Sequence, residues 1–131
     1  MNNLLNITNA FAIALGATLG AWMRWLLGMF FNHLLTNLPV GTLLANLSGG
    51  LMVGITLGFI SLGNLDNHSL RLFITTGFLG GLTTFSAFTG ESLILLQKQE
   101  YCWAAIHTCS HVFGALFMAS LGYIFVQYLR A

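Results

Sequence analysis

Charge is what this 131-residue sequence has least of: three carboxylates and four lysines and arginines, 5% of its residues. A soluble domain carries about a quarter. So bare a chain cannot clothe a surface that faces water, and the bilayer is its natural solvent. The net charge of +1 has no cluster of Lys and Arg behind it, which excludes a nucleic-acid partner. Basic residues are missing from the start as well. The first is Arg24, so the basic n-region of a cleaved signal peptide is not there. Cysteine is scarce: Cys102 and Cys109 lie seven apart in an apolar run. They fit neither a disulfide framework nor a zinc spacing and read as small core or lipid-facing residues. Glu91 is the one carboxylate well inside an apolar segment. No nucleophile–base pair accompanies it, which argues against an enzyme.

What is present is hydrophobic: 56% of the residues, with a mean hydropathy of +0.83. Four apolar segments run over about 10–31, 39–62, 70–96 and 102–129. Each reaches the roughly 20 residues that a spanning helix needs. Short polar breaks separate them, around Pro39, before Leu70 and before Tyr101. The expected fold is an all-α membrane protein, a single domain over 1–131 with four transmembrane helices. The Asn-x-Ser/Thr triplets at Asn6, Asn46 and Asn67 read as chance, since Asn46 lies inside a span. Lys and Arg normally gather on the cytoplasmic side, yet here Arg71 and Arg130 oppose Arg24 and Lys98, two against two. Either so few charges show no bias, or copies insert both ways and pair antiparallel.

Small residues recur four apart: Gly16 and Gly20, then Asn46, Gly50, Gly54 and Gly58, then Gly77 and Gly81. Such faces let membrane helices approach closely, and they turn Asn46 toward protein or a cavity. The remaining polar residues of the spans are mostly neutral donors, among them Thr42, Thr84, Ser86, Ser110, His111 and Ser120. A cation path would want acidic rings; hydroxyl and amide donors suit anions. The stretch G-F-L-G-G-L-T-T-F-S-A-F, residues 77–88, is poorly suited to a continuous helix. Backbone groups freed at that depth must be buried in protein or line a cavity. Freed carbonyls are natural ligands for a small hard cation such as Na⁺. Phe85 and Phe88 follow, three apart, and ring edges carry the positive part of the aromatic quadrupole.

These residues resemble the small bacterial fluoride channels of the CrcB/Fluc family. The resemblance rests on G-A-T-L-G-A-W-M-R-W (16–25), P-V-G-T-L-L-A-N-L-S-G-G (39–50) and G-F-L-G-G-L-T-T-F-S-A-F-T-G-E (77–91), three motifs in register. It implies a dual-topology antiparallel homodimer with two pores, a broken third helix and a place in the bacterial inner membrane. It implies that Asn46 is a vestibule amide and that Phe85 and Phe88 are pore phenyls, with Thr84, Ser86 and Thr42 as polar contacts. It places Arg24 near the vestibule and Glu91 at the family's acidic position. It further implies a structural, untransported Na⁺ held by the carbonyls of Gly80 and Thr83. The chain departs from the family pattern at Ala87, where threonine is common, and at Ala115 and Ala119, where helix four commonly carries hydroxyls. Ser120 is one residue, a rotation of about 100°, away from that track. His107 and His111 have metal-ligand spacing at i and i+4, but no third ligand is evident in the sequence.

The function so implied is passive export of cytoplasmic fluoride, which relieves its toxicity. Two other readings have less to stand on. A small multidrug-type exporter of dual topology relies on a membrane-embedded glutamate in helix one, where this chain has Arg24 and no carboxylate. A non-transporting assembly protein explains the glycine faces and leaves the clustered donors without a purpose.

Overall fold

The structure, a computed structural model, describes residues 6–130. Every regular element among them is helical: α1 (Ile7–Phe31), α2 (Val40–Ser61), α3 (His68–Leu72), a π-helical stretch (Phe73–Leu79), α4 (Gly80–Leu82), α5 (Phe85–Gln97) and α6 (Tyr101–Tyr128). Four runs are long and apolar enough to cross a membrane: Ile7–Phe31, Val40–Ser61, His68–Gln97 and Tyr101–Tyr128. The chain is thus a four-span membrane protein, and its helices extend to within three residues of the segments read from hydropathy alone.

The helix ends follow local chemistry. Asn6 caps α1, its side chain accepting from Thr8 N at 3.2 Å, which satisfies an orphan donor of the first turn. After α2, Gly63 takes the left-handed conformation (φ 70°) while Gly63 N and Asn64 N close back on the Ile60 and Phe59 carbonyls. That is a Schellman stop, where a glycine costs least. The turn after α5 has the same bonding but places Gln99 at φ 60°.

Two packing seams organise the bundle: α2 lies along α6, and α1 lies along the π-helical stretch and α4. Glycine builds both. A Cβ at Gly16 would stand 2.7 Å from Phe78 N, and one at Gly81 would stand 2.5 Å from the Ala17 carbonyl. Across the other seam, a Cβ at Gly50 would meet the Ala115 carbonyl at 2.6 Å, and one at Gly54 would collide with the Ala119 carbonyl. Backbone thus meets backbone at the small-residue faces, as expected where no hydrophobic force draws helices together in lipid. Cys102 and Cys109 are free and exposed on the outside of the bundle.

In the third span the glycines keep helical geometry, and the two threonines that follow them are extended. Gly77 lies in the π-helical stretch and Gly80 and Gly81 in α4, while Thr83 (φ −80°, ψ 151°) and Thr84 (φ −146°, ψ 116°) are extended. Gly77 and Gly81 are wedged against α1 and keep helical geometry there. The wide π turn, a feature common at functional sites, falls in the same contact.

Candidate functional site

Asn46 explains the extended pair. Its Oδ1 accepts from Thr84 N at 2.8 Å, and its Nδ2 donates to the Thr84 carbonyl at 3.2 Å. One side chain of α2 therefore holds both polar groups of a single peptide position, 38 residues away, much as a neighbouring strand would. Two consequences follow along the chain. In an unbroken helix Thr84 N would bond the Gly80 carbonyl and Ala87 N would bond the Thr83 carbonyl. Thr84 N is instead taken by Asn46, and Ala87 N donates to Thr84 Oγ1 at 3.1 Å. The same hydroxyl caps α5 and lies 3.3 Å from Ser86 Oγ. The Gly81 carbonyl has also lost its helical donor, and Arg24 Nε reaches across from α1 to supply one at 3.0 Å.

A second polar chain runs from α2 through α5 to α6. Thr42 Oγ1 donates to Glu91 Oε1 at 2.6 Å, and Glu91 Oε2 faces His107 Nε2 at 3.1 Å. His107 Nδ1 lies 3.0 Å from Ser92 Oγ. With the carboxylate as acceptor, His107 carries its proton on Nε2 and receives the serine hydroxyl at Nδ1. His111 Nδ1 lies 2.9 Å from Asn46 Nδ2. Because Thr84 fixes which way the Asn46 amide points, Nδ1 must accept, and the His111 proton sits on Nε2. That nitrogen is buried without a partner.

Aromatic rings close the space between the two chains. Phe88 stacks on His107 with centroids 5.4 Å apart and planes 7° from parallel, and it stands 5.1 Å from His111. Phe85 tilts against Phe88 at 5.5 Å, yet 79% of its surface is exposed, since it opens α5 on the outside of the chain. Two recesses flank the extended pair. One, of about 350 Å³, is bounded by Asn46, Thr83, Phe85, Phe88, His111 and Ala115. The other, of about 520 Å³, is bounded by Arg24, Asn32, Thr42, Thr84, Ala87 and Glu91.

The sequence-expected residues Asn46, Thr84, Ser86, Phe88, Thr42 and Glu91 thus lie together, Arg24 borders the same recess, and Gly80 and Thr83 offer backbone just before the extended pair. Both amide protons of Asn46, the expected vestibule amide, are engaged, one by Thr84 and one by His111. Ala115 and Ala119 border the first recess while packing against Gly50 and Gly54. Ser120 bonds back to the Leu116 carbonyl on an exposed face. Ser92 is not among the residues the sequence singles out, and His107 and His111 stand out there only by their metal-ligand spacing, with His111 also a neutral donor.

Four apolar spans around a buried cluster of neutral donors, one carboxylate and two imidazoles define a small multi-pass membrane protein with a polar interior. The chain belongs to the CrcB family: residues 11–123 match the family described as CrcB-like protein, Camphor Resistance (CrcB). It is 48% identical over 118 residues to a protein of Aromatoleum aromaticum, with 90% of each chain covered. It is 46% identical over 118 residues to one of Nitrosospira multiformis, covering 90% of this chain and 92% of the other. A third relative, from Pseudomonas aeruginosa, is 50% identical over 111 residues, covering 85% of this chain and 87% of its own. All three bear the name Fluoride-specific ion channel FluC.

Proposed function

We propose that this chain is the subunit of a fluoride-selective channel that lets cytoplasmic fluoride leave the cell passively through the inner membrane. The observation that carries the reading is the Asn46–Thr84 clamp, which extends the backbone in mid-span and gathers hydroxyl, imidazole and phenyl groups around it. The relatives' shared name supports the ion. Fluoride is the base of a weak acid, so HF crosses the bilayer from acidic surroundings and ionises in a neutral cytoplasm, where the anion is trapped. A negative-inside potential drives an anion outward with about 2.3 kcal/mol per 100 mV, so a pore suffices. Selectivity follows if a narrow path replaces the tight hydration shell of fluoride with several donors at short range. Chloride is too wide for such a path.

In the same reading the third span is broken at Thr83 and Thr84, and two antiparallel copies meet over that break. The exposure of Phe85 supports a covering partner. A structural Na⁺ fits the Gly80 and Thr83 carbonyls, because their helical donors are diverted to Asn46 and Thr84. Uncharged carbonyl oxygens freed at a helix break suit that ion, and it would hold the crossing point without being transported. Arg24 is tied to the neighbouring Gly81 carbonyl. The deciding experiment is efflux from liposomes containing the purified protein. Fluoride is expected to leave and chloride to stay, and equal retention of both ions would sink the reading.

A further inference from the structure

We propose that Glu91, His107 and His111 form a site for a divalent transition-metal ion of the zinc class, set within the spans. Each residue offers one ligand atom, and the three atoms lie within 4.8 Å of one another. The 3.1 Å between His107 Nε2 and Glu91 Oε2 is already close to one edge of a tetrahedron built on bonds of about 2.0–2.2 Å. A turn of the His111 side chain would complete the triangle. His107 and His111 share one face of α6 by their i, i+4 spacing, and Glu91 meets them from α5. Imidazole nitrogen with one carboxylate selects zinc-like ions over magnesium or calcium, which want oxygen throughout.

A second observation points the same way. His111 is 4% exposed, and its Nε2 has no partner. A buried polar atom left unpaired calls for an explanation, and a metal ion gives that nitrogen one. The ligands are also held as ligands usually are, by hydrogen bonds from behind. Ser92 Oγ lies on His107 Nδ1, and Thr42 Oγ1 donates to the Glu91 oxygen facing away from the histidines. An ion has a way in, since the recess of about 520 Å³ beside Thr42 and Thr84 reaches Glu91. Arg24 borders that recess as well, with its Nε on the Gly81 carbonyl.

Binding through Nε2 moves each histidine proton to Nδ1. For His107 the Ser92 hydroxyl turns from donor to acceptor and nothing is lost. For His111 the new Nδ1 proton faces the Asn46 amide, whose orientation Thr84 fixes, so that contact breaks. Metal binding therefore loosens the residue that clamps Thr84 and fills the space beside Phe88. A slower fluoride flux is the consequence. That consequence rests on the channel reading, whereas the binding does not.

The full-length protein, purified without a histidine tag, is titrated with Co²⁺, and its visible d–d absorption is followed. One ion per chain is expected, with a spectrum that Zn²⁺ abolishes. His107→Gln or Glu91→Gln should weaken binding at least about 100-fold, and Ser92→Ala about tenfold. Each variant is scored only if its gel-filtration profile matches the parent. Replacing His33 and His68 together should change nothing. Absence of saturable Co²⁺ binding in the parent would overturn the site, as would equal binding in the parent and the Glu91 and His107 variants. Zn²⁺ should then slow fluoride efflux from liposomes of the parent over the concentrations that displace Co²⁺, and efflux indifferent to Zn²⁺ over that range would overturn this consequence. Failure of the metal-free parent to conduct would refute the channel reading and leave the Co²⁺ result standing.

Discussion

Both amide protons of Asn46 are engaged, one by the Thr84 carbonyl and one by His111 Nδ1, so the residue acts on an anion path chiefly by shaping Thr84. Asn46→Ala leaves the N–H and the C=O of Thr84 without partners. Each such loss costs about 1–3 kcal/mol, and the thermal midpoint of the detergent-purified protein should fall together with fluoride efflux. A variant that loses flux at an unchanged midpoint would show a direct contact with the ion instead. Phe88 is the cleaner test of chemistry against packing. Its ring lies flat over His107 and close to His111. Phe88→Ile keeps similar apolar bulk, for which the folding cost is under about 1.5 kcal/mol, but removes the ring. A ring contact worth even about 1.4 kcal/mol at the barrier makes efflux tenfold slower on removal. Phe85→Ile should do the same although the ring is mostly exposed within one chain, because in the proposed pair a second copy covers that surface. Full flux in both variants would take the rings out of the mechanism.

Between helices the governing quantity is how closely two backbones approach. Gly54→Ala drives a Cβ into the Ala119 carbonyl of α6, and overpacking of that kind costs about 1–3 kcal/mol. Gln99→Gly should act oppositely: Gln99 holds φ 60° at the end of α5, a conformation that costs a residue with a Cβ about 1–2 kcal/mol. Thermal unfolding in detergent should therefore move down for the first and up for the second. The spans and the glycine seams were legible in the sequence because helical spacing is local: four-residue steps put Gly50 and Gly54 on one face whatever lies across from it. The position of the extended pair was not. Glycine marks where a helix is weak, but Gly77 and Gly81 are held by α1, and the pull that extends Thr84 comes from Asn46 in another span. The same distance hid the imidazole–carboxylate cluster. The pairing of His107 with His111 can be read along α6, whereas Glu91 joins them only when α5 folds back against it.

For the molecule as a whole, orientation in the membrane follows from very few charges. Arg71 and Arg130 lie at one end of the bundle, and Lys98, with Arg24 toward the close of α1, at the other. The positive-inside preference counts Lys and Arg near the span ends, and here the two sides balance. Each chain should therefore insert in either direction with similar frequency, and reporters fused to the C-terminus should find comparable signal on both sides of the membrane. Two lysines added to the 62–69 loop would give that end four basic residues against two, enough to bias insertion toward one orientation. Fluoride resistance in cells should then drop even though the protein level and the fold of each chain are unchanged, because the proposed antiparallel pair needs both orientations. Resistance should return when a second copy is biased the opposite way, by lysines placed in the 32–39 loop, and expressed alongside the first. Full resistance from the single biased chain would show that copies oriented alike can form the path. A fixed orientation of the unmodified chain would instead point to an oppositely inserted partner of different sequence.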